Sequence, residues 1–204
     1  MQLYFTPGTI SVAVAITLHE ADIAFEPILV DFSQAEQLGT AYQQINPKGR
    51  VPALATPNGL LTETGAILDY IAAIAPQANL IPSSPYKAGK MREMMYYLAS
   101  TAHINHAHKI RGQRWADNQS SWDDMAAKMT ANMIENTNHI ETQCLTGPYV
   151  LGDQFSLADP YLYVLSTWLA NDGVDTTQFP KLTAFIKRMA TRPSVQTVTT
   201  QGML

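Results

Sequence analysis

One change of rhythm constrains this chain more than any other feature. Up to about residue 80, short apolar runs alternate with helical stretches and are broken by Pro and Gly; beyond it, long stretches of helical composition take over. Alternating strands and helices make an α/β unit, whereas a run of helices makes a bundle of its own. A chain of 204 residues has room for a small α/β unit and a bundle of about a hundred residues. The expected fold is therefore α/β plus all-α, with units at 1–78 and 87–204 and a Pro/Ser-rich linker at 79–86.

Within the first unit, Gln2 to Phe5 reads as a strand stopped by Pro7 and Gly8, and Ser11 to His19 as a helix. Phe25 to Phe32 is a second strand, and Ser33 to Ile45 contains a short helix. Val51 to Ala55 and Leu60 to Thr62 flank Pro57-Asn58-Gly59, a hairpin signal. Thr64 opens a helix whose Ile67, Leu68, Ile71 and Ile74 form one buried face. The second unit begins with two long helices, Tyr86 to Ala116 and Trp122 to Leu145. A central helix then starts at Ser156, three residues before Asp159, in a capping-box spacing with Asp in place of Glu. A last helix, Pro180 to Thr191, ends at Arg192-Pro193.

Composition removes several classes of function. Thirteen Lys and Arg against 17 Asp and Glu leave a net charge of −4 with no basic run, so the electrostatic footprint of a nucleic-acid binder is missing. An apolar content of 46% with 15% charged residues argues for a packed core over disorder. The single Cys144 allows no intramolecular disulfide, and no Cys/His spacing suggests a metal site. Apolar stretches end well short of the ~18 residues of a membrane span, and no signal-peptide pattern opens the chain. We expect a cytoplasmic protein without membrane, nucleic-acid or metal partners.

Two places in the first unit carry binding chemistry. Pro52 either marks an edge strand or forms a cis bond with Val51; a cis bond would leave the Val51 amide and carbonyl to pair with an extended peptide. Thr64 is either an N-cap or part of an anion site at a helix start, and the two are compatible. Glu63 beside it offers an acceptor for an ammonium group, so the pair suits the zwitterionic end of an α-amino acid.

Four motifs in order, Asn46 to Leu54 (NPKGRVPAL), Leu61 to Ile67 (LTETGAI), Gly152 to Asp159 (GDQFSLAD) and Arg192-Pro193, resemble those of a cytosolic glutathione transferase, nearest the bacterial beta class. The resemblance implies a thioredoxin-like N-terminal domain, a helical-bundle C-terminal domain, a homodimer and glutathione as co-substrate. It assigns Val51 and Pro52 to the cysteinyl unit of glutathione, Glu63 and Thr64 to its γ-glutamyl end, and Ser156 and Asp159 to a structural motif. It implies conjugation of the glutathione thiolate to a small hydrophobic electrophile. Disulfide or peroxide reduction, or a non-catalytic binding module, are the alternatives.

The beta class carries a cysteine shortly after the Pro-Gly turn, and that place is filled here by Ile10. Ser11, Thr9 and Tyr4 are the hydroxyls left nearby. A helix N-terminus and one charge-assisted hydrogen bond, at ~1 kcal/mol or more each, could bring a thiol of pKa ~8.5 to near neutrality, which makes Ser11 a sufficient activator. The other unusual run is His103 to Trp115, with three histidines in six residues. His103, His106 and Arg114 are expected on related turns of one helix. By position His103 resembles the beta-class histidine that faces glutathione, and His106, Arg111, Arg114 and Trp115 are expected to line the pocket of the second substrate with it.

Overall fold

The computed structural model describes residues 1–204. It divides into two compact units, Met1–Ile81 with Met189–Leu204, and Pro82–Arg188. In the first, β1 (Gln2–Phe5), α1 (Ser11–Glu20) and β2 (Glu26–Leu29) form a parallel βαβ unit, with Tyr4 opposite Ile28. After α2 (Thr40–Ile45), β3 (Ala53–Thr56) and β4 (Gly59–Thr62) form the expected hairpin, which joins β1 antiparallel, with Tyr4 opposite Ala53. The sheet order β2-β1-β3-β4, followed by α3 (Thr64–Ile74), is a thioredoxin-like arrangement. The second strand is shorter than expected, because the chain turns into single 3-10 turns at Phe32–Gln34 and Glu36–Leu38.

Helix α1 is buried from Ser11 to Leu18, which explains its lack of a polar stripe: it lies inside the first unit, packed against α3. In α3, Ile67, Leu68 and Ile71 are fully buried as the periodicity requires, but Ile74, its last residue, is 45% exposed. The apolar stripe therefore outlasts the buried face. A further helix, α9 (Pro193–Thr200), follows Arg192 where the chain was expected to stop being helical, because Pro193 sits in its first turn. It packs on α1. Arg192 clasps Glu20 through Nε and Nη2, both at 2.7 Å, and Ser194 Oγ donates to the same carboxylate. Burial works against the charge of Glu20, yet the bonds from Arg192 and Ser194 outweigh it and hold this carboxyl below its usual value.

The second unit comprises α4 (Pro85–Tyr97), α5 (His103–Ala107), α6 (Gln119–His139), α7 (Ala158–Ser166) and most of α8 (Pro180–Ala190). Helix α4 begins inside the stretch read as linker, capped by Ser84 and opened by Pro85. The first long helix is not continuous to Ala116. A π-type turn at Leu98–Ala102 leads into α5, and regular helix ends at Ala107. Arg111 leaves helical geometry and a 3-10 turn spans Gly112–Arg114. A Cβ at Gly112 would stand 2.8 Å from Trp122 Cβ, so the chain turns where only glycine permits that approach.

Helix α7 is buried along its whole length, as its apolar sequence predicts. Its start differs from a full capping box. Asp159, with no exposed surface, accepts from Ser156 N at 2.7 Å, Ser156 Oγ at 3.0 Å and Val150 N at 2.9 Å. Ser156 thus donates to the carboxylate instead of capping the helix with its oxygen. Glu141, also buried, accepts from Lys181 N and Leu182 N at the start of α8. No helix is long and apolar enough to cross a membrane.

Candidate active site

In the first unit, the Pro7-Gly8 turn delivers the chain from β1 into α1. Gly8 has φ +69°, and its N–H donates to Met203 O at 2.8 Å. Ile10 is the buried N-cap of α1. Ser11, the first helical residue, has no exposed surface. Its hydroxyl accepts from Thr6 N at 3.2 Å and lies 2.6 Å from Thr9 Oγ1. Thr9 Oγ1 donates to Thr6 O at 2.8 Å and Ser11 Oγ reaches the same carbonyl at 3.3 Å, so either hydroxyl can supply the hydrogen between them. Ser11, expected to meet the sulfur, has its oxygen between Thr6 and Thr9. Thr9 is half-buried and forms the outer end of the pair. Tyr4, on β1, turns its ring edge onto Tyr42 at 5.9 Å. Tyr42 donates to Arg50 O at 2.8 Å, and burial pushes its phenol up to about 12.

The Val51-Pro52 bond is cis, which decides between the two readings of Pro52. The β1–β3 ladder begins at Ala53, leaving Val51 before it and half-exposed. At the end of β4, Glu63 rather than Thr64 takes the N-cap position of α3, and its side chain makes no cap. Its φ of +69° is a left-handed value that costs a non-glycine residue about 1–3 kcal/mol, a strain that points to function. Thr64 is buried at the first helical position. The exposed Glu63 carboxylate meets Lys48 Nζ at 2.5 Å, and the same ammonium donates to Thr62 Oγ1 at 2.8 Å. Lys48 is a member of the site that sequence reasoning passed over, since nothing local links it to a residue fifteen positions away.

In the second unit the histidine run separates. His103 and His106 on α5 both face Trp168, at ring distances of 5.0 Å and 4.4 Å. His106 Nδ1 lies 2.6 Å from Asp172 Oδ2. Arg111, Arg114 and Trp115 lie beyond the end of α5, not on its turns. Trp115 is exposed and packs edge-on against His108 at 4.6 Å. Trp168 and Asp172 were also missed; a partner 66 residues away from a histidine has no sequence signature. No three His, Cys, Asp or Glu side chains converge as metal ligands.

The sequence matches the glutathione S-transferase N-terminal domain over residues 1–73 and the C-terminal domain over 126–193. A crystal structure of a glutathione transferase homolog from Sulfitobacter, with bound glutathione, is 56% identical and covers 100% of this chain and 98% of its own, with a TM-score of 0.98. The chain belongs to the glutathione S-transferase family. The beta class glutathione S-transferase of Sphingomonas chungbukensis is 30% identical over 99% of this chain and 98% of its own, at a TM-score of 0.85. Glutathione S-transferase GstA of Escherichia coli O157:H7 is 29% identical over 199 residues, 96% of each chain. This glutathione transferase thus shares its family's two parts along the full length of these relatives.

Proposed function

We propose that this glutathione transferase conjugates the glutathione thiolate to a small hydrophobic electrophile, and that it stands nearest the beta class without that class's cysteine. The observation that carries the reading is the pair Thr9–Ser11 around Ile10 at the start of α1: hydroxyls stand where thiol–disulfide chemistry would need a thiol. Cys144, the only cysteine, lies in the other unit, and burial pushes its thiol up, away from the thiolate that exchange requires. In this reading residues 1–78 are the glutathione-binding domain, 79–86 the linker and 87–204 the helical domain of a cytoplasmic homodimer. The bound Sulfitobacter homologue supports glutathione as co-substrate.

Val51, beside Pro52, offers its backbone to the cysteinyl unit, and Glu63 and Thr64 take the γ-glutamyl end. Glutathione's ammonium then replaces Lys48 at the Glu63 carboxylate. The thiol is ionised at the start of α1, where Thr9 redirects its hydrogen from Thr6 O to the sulfur. Ser11 donates to Thr9 from behind, so the two hydroxyls form a short polarised chain. Tyr4 is the reserve donor. His103, His106, Arg111, Arg114 and Trp115 are the helical unit's candidates toward the electrophile.

Calorimetry with glutathione tests the binding, and initial rates with a chlorodinitrobenzene, an organic disulfide and a hydroperoxide separate conjugation from reduction. The absorbance of the bound thiolate against pH tests the activator. Thr9→Val should raise the thiol pKa by about one unit, lowering turnover near neutrality roughly tenfold. Superimposable titrations of wild type and Thr9→Val would reject the hydroxyl chain. Absence of any glutathione complex would leave a non-catalytic module.

A further inference from the structure

The Arg192-Pro193 motif opens a helix that is pinned to α1 at both ends, and both contacts lie within the first unit. At the far end of α1, Arg192 and Ser194 hold the Glu20 carboxylate. At the near end, in the turn before α1, the Gly8 N–H donates to Met203 O at 2.8 Å. Helix α9 therefore runs antiparallel along α1, and the residues after it reach the turn that carries Thr9. The acceptor is itself held. Gly202 N–H donates to Thr199 O at 3.0 Å and Met203 N–H to Val198 O at 2.9 Å, the paired bonds that close a helix, with Gly202 at φ +71° as their left-handed residue. The Met203 side chain is buried, with 1% of its surface exposed.

Glycine is required at both places by conformation alone, since a Cβ at Gly8 or Gly202 would meet nothing within 4 Å while φ is +69° and +71°. Pro7 has no N–H, so that of Gly8 is the first after Thr6 that the turn can offer to another part of the chain. We infer that Met203 is a positioning residue: through its carbonyl it fixes the Pro7-Gly8 turn and so sets where the Thr9 hydroxyl stands at the start of α1. The inference rests on the proposed conjugation, in which that hydroxyl stabilises the glutathione thiolate. A hydrogen bond weakens steeply with distance and angle, so a turn that moves takes the partner away from the ionised thiol. The buried Met203 side chain aims the carbonyl, which makes it the handle that a substitution can remove.

Met203→Gly removes the anchor and Met203→Leu keeps it. Amide hydrogen exchange followed residue by residue should find the Gly8 N–H protected in wild type and in Met203→Leu, and exchanging roughly tenfold or more faster in Met203→Gly. In the glutathione complex of Met203→Gly, thiolate absorbance against pH should show the thiol pKa raised by about half a unit to one unit. Turnover with a chlorodinitrobenzene near neutrality should then fall roughly three- to tenfold while the KM for glutathione stays within about twofold. The loss should close near pH ~9, where the thiol ionises without help, whereas a purely structural defect would persist there. In a Thr9→Val background Met203→Gly should cost nothing further, because Met203 acts through that hydroxyl. A Gly8 amide that is unprotected in wild type, or equally protected in Met203→Gly, overturns the inference, and so do superimposable thiol titrations or a rate loss unchanged at high pH. The wild-type exchange measurement needs no variant to fold. If wild type does not conjugate glutathione, the proposed function fails, and the Gly8 exchange still decides whether Met203 holds the turn.

Discussion

Asp159→Ala removes a carboxylate with no exposed surface that accepts from Val150 N, Ser156 N and Ser156 Oγ at 2.7–3.0 Å. Two of those donors are backbone N–H groups that cannot rotate toward another acceptor. Each buried donor left unpaired costs about 1–3 kcal/mol, so the pair costs roughly 2–6 kcal/mol before any cavity is counted. A domain's whole stability is only about 5–15 kcal/mol. At roughly 2–4 °C per kcal/mol for a chain of this size, the melting temperature should fall by about 10 °C. Ser156→Ala deletes only the hydroxyl bond and should cost about 1–2 kcal/mol, giving a graded pair. Differential scanning calorimetry measures both, and glutathione affinity of the folded fraction should be unchanged. A fall of less than about 2 °C for Asp159→Ala would refute the reasoning, because the two N–H groups would then have found other partners. Intact melting with lost turnover would instead make Asp159 a catalytic group.

Glu63→Ala should weaken glutathione binding by about 1–3 kcal/mol, whereas Glu63→Gly should weaken it equally and also raise the melting temperature, since glycine relieves the left-handed φ; calorimetry and thermal melts separate the two. Glu20 contributes through a folded carboxyl held below its usual value by Arg192 and Ser194 against the cost of burial. That stability is present above the unfolded carboxylate range and is lost as pH falls below about 4.3, so Glu20→Gln should flatten the acid limb of melting temperature against pH. Ile10→Cys should place a thiol at the start of α1 and form a mixed disulfide with glutathione, seen as one added glutathionyl mass after treatment with glutathione disulfide.

Most of the first unit was legible because its signals are local. The Pro57-Asn58 turn, the alternation of Gln2 to Phe5 and the apolar spacing of Ile67, Leu68 and Ile71 all act within a few residues, and each element formed where expected. The cis bond at Pro52 and the helix start at Thr64 are local features of the same kind. What failed depended on distance. The helix through His103 ends early because Gly112 must approach Trp122, and α9 forms where its Val195 and Val198 are buried and Arg192 reaches Glu20. The bonds of the Ser11 hydroxyl to Thr6 and Thr9 were not legible, because only the fold brings those groups around its oxygen. Asp172 left no trace, since its pairing with His106 spans 66 positions.

These outcomes share a physical division between polar groups that are finished and polar groups that are not. Asp159, Glu141 and Ser11 are buried with short, mutually satisfying hydrogen bonds, and removing one leaves desolvated partners behind. Glu63, Thr9 and His106 keep part of their surface and hold partners that a ligand can replace or join: Lys48, the Thr6 carbonyl and the stacked face of Trp168. Under the proposed function, binding at these groups is an exchange, so its free energy is a difference. An exposed ion pair such as Lys48–Glu63 is worth only about 0–1 kcal/mol, which makes Lys48 easy for an ammonium to displace. In the proposed function the Thr9 hydroxyl gives up one neutral hydrogen bond for a bond to a thiolate, and a charged acceptor is worth roughly twice a neutral one. That surplus falls on the ionised thiol and not on the neutral one, which is the condition for a bond to lower a pKa instead of merely holding a ligand.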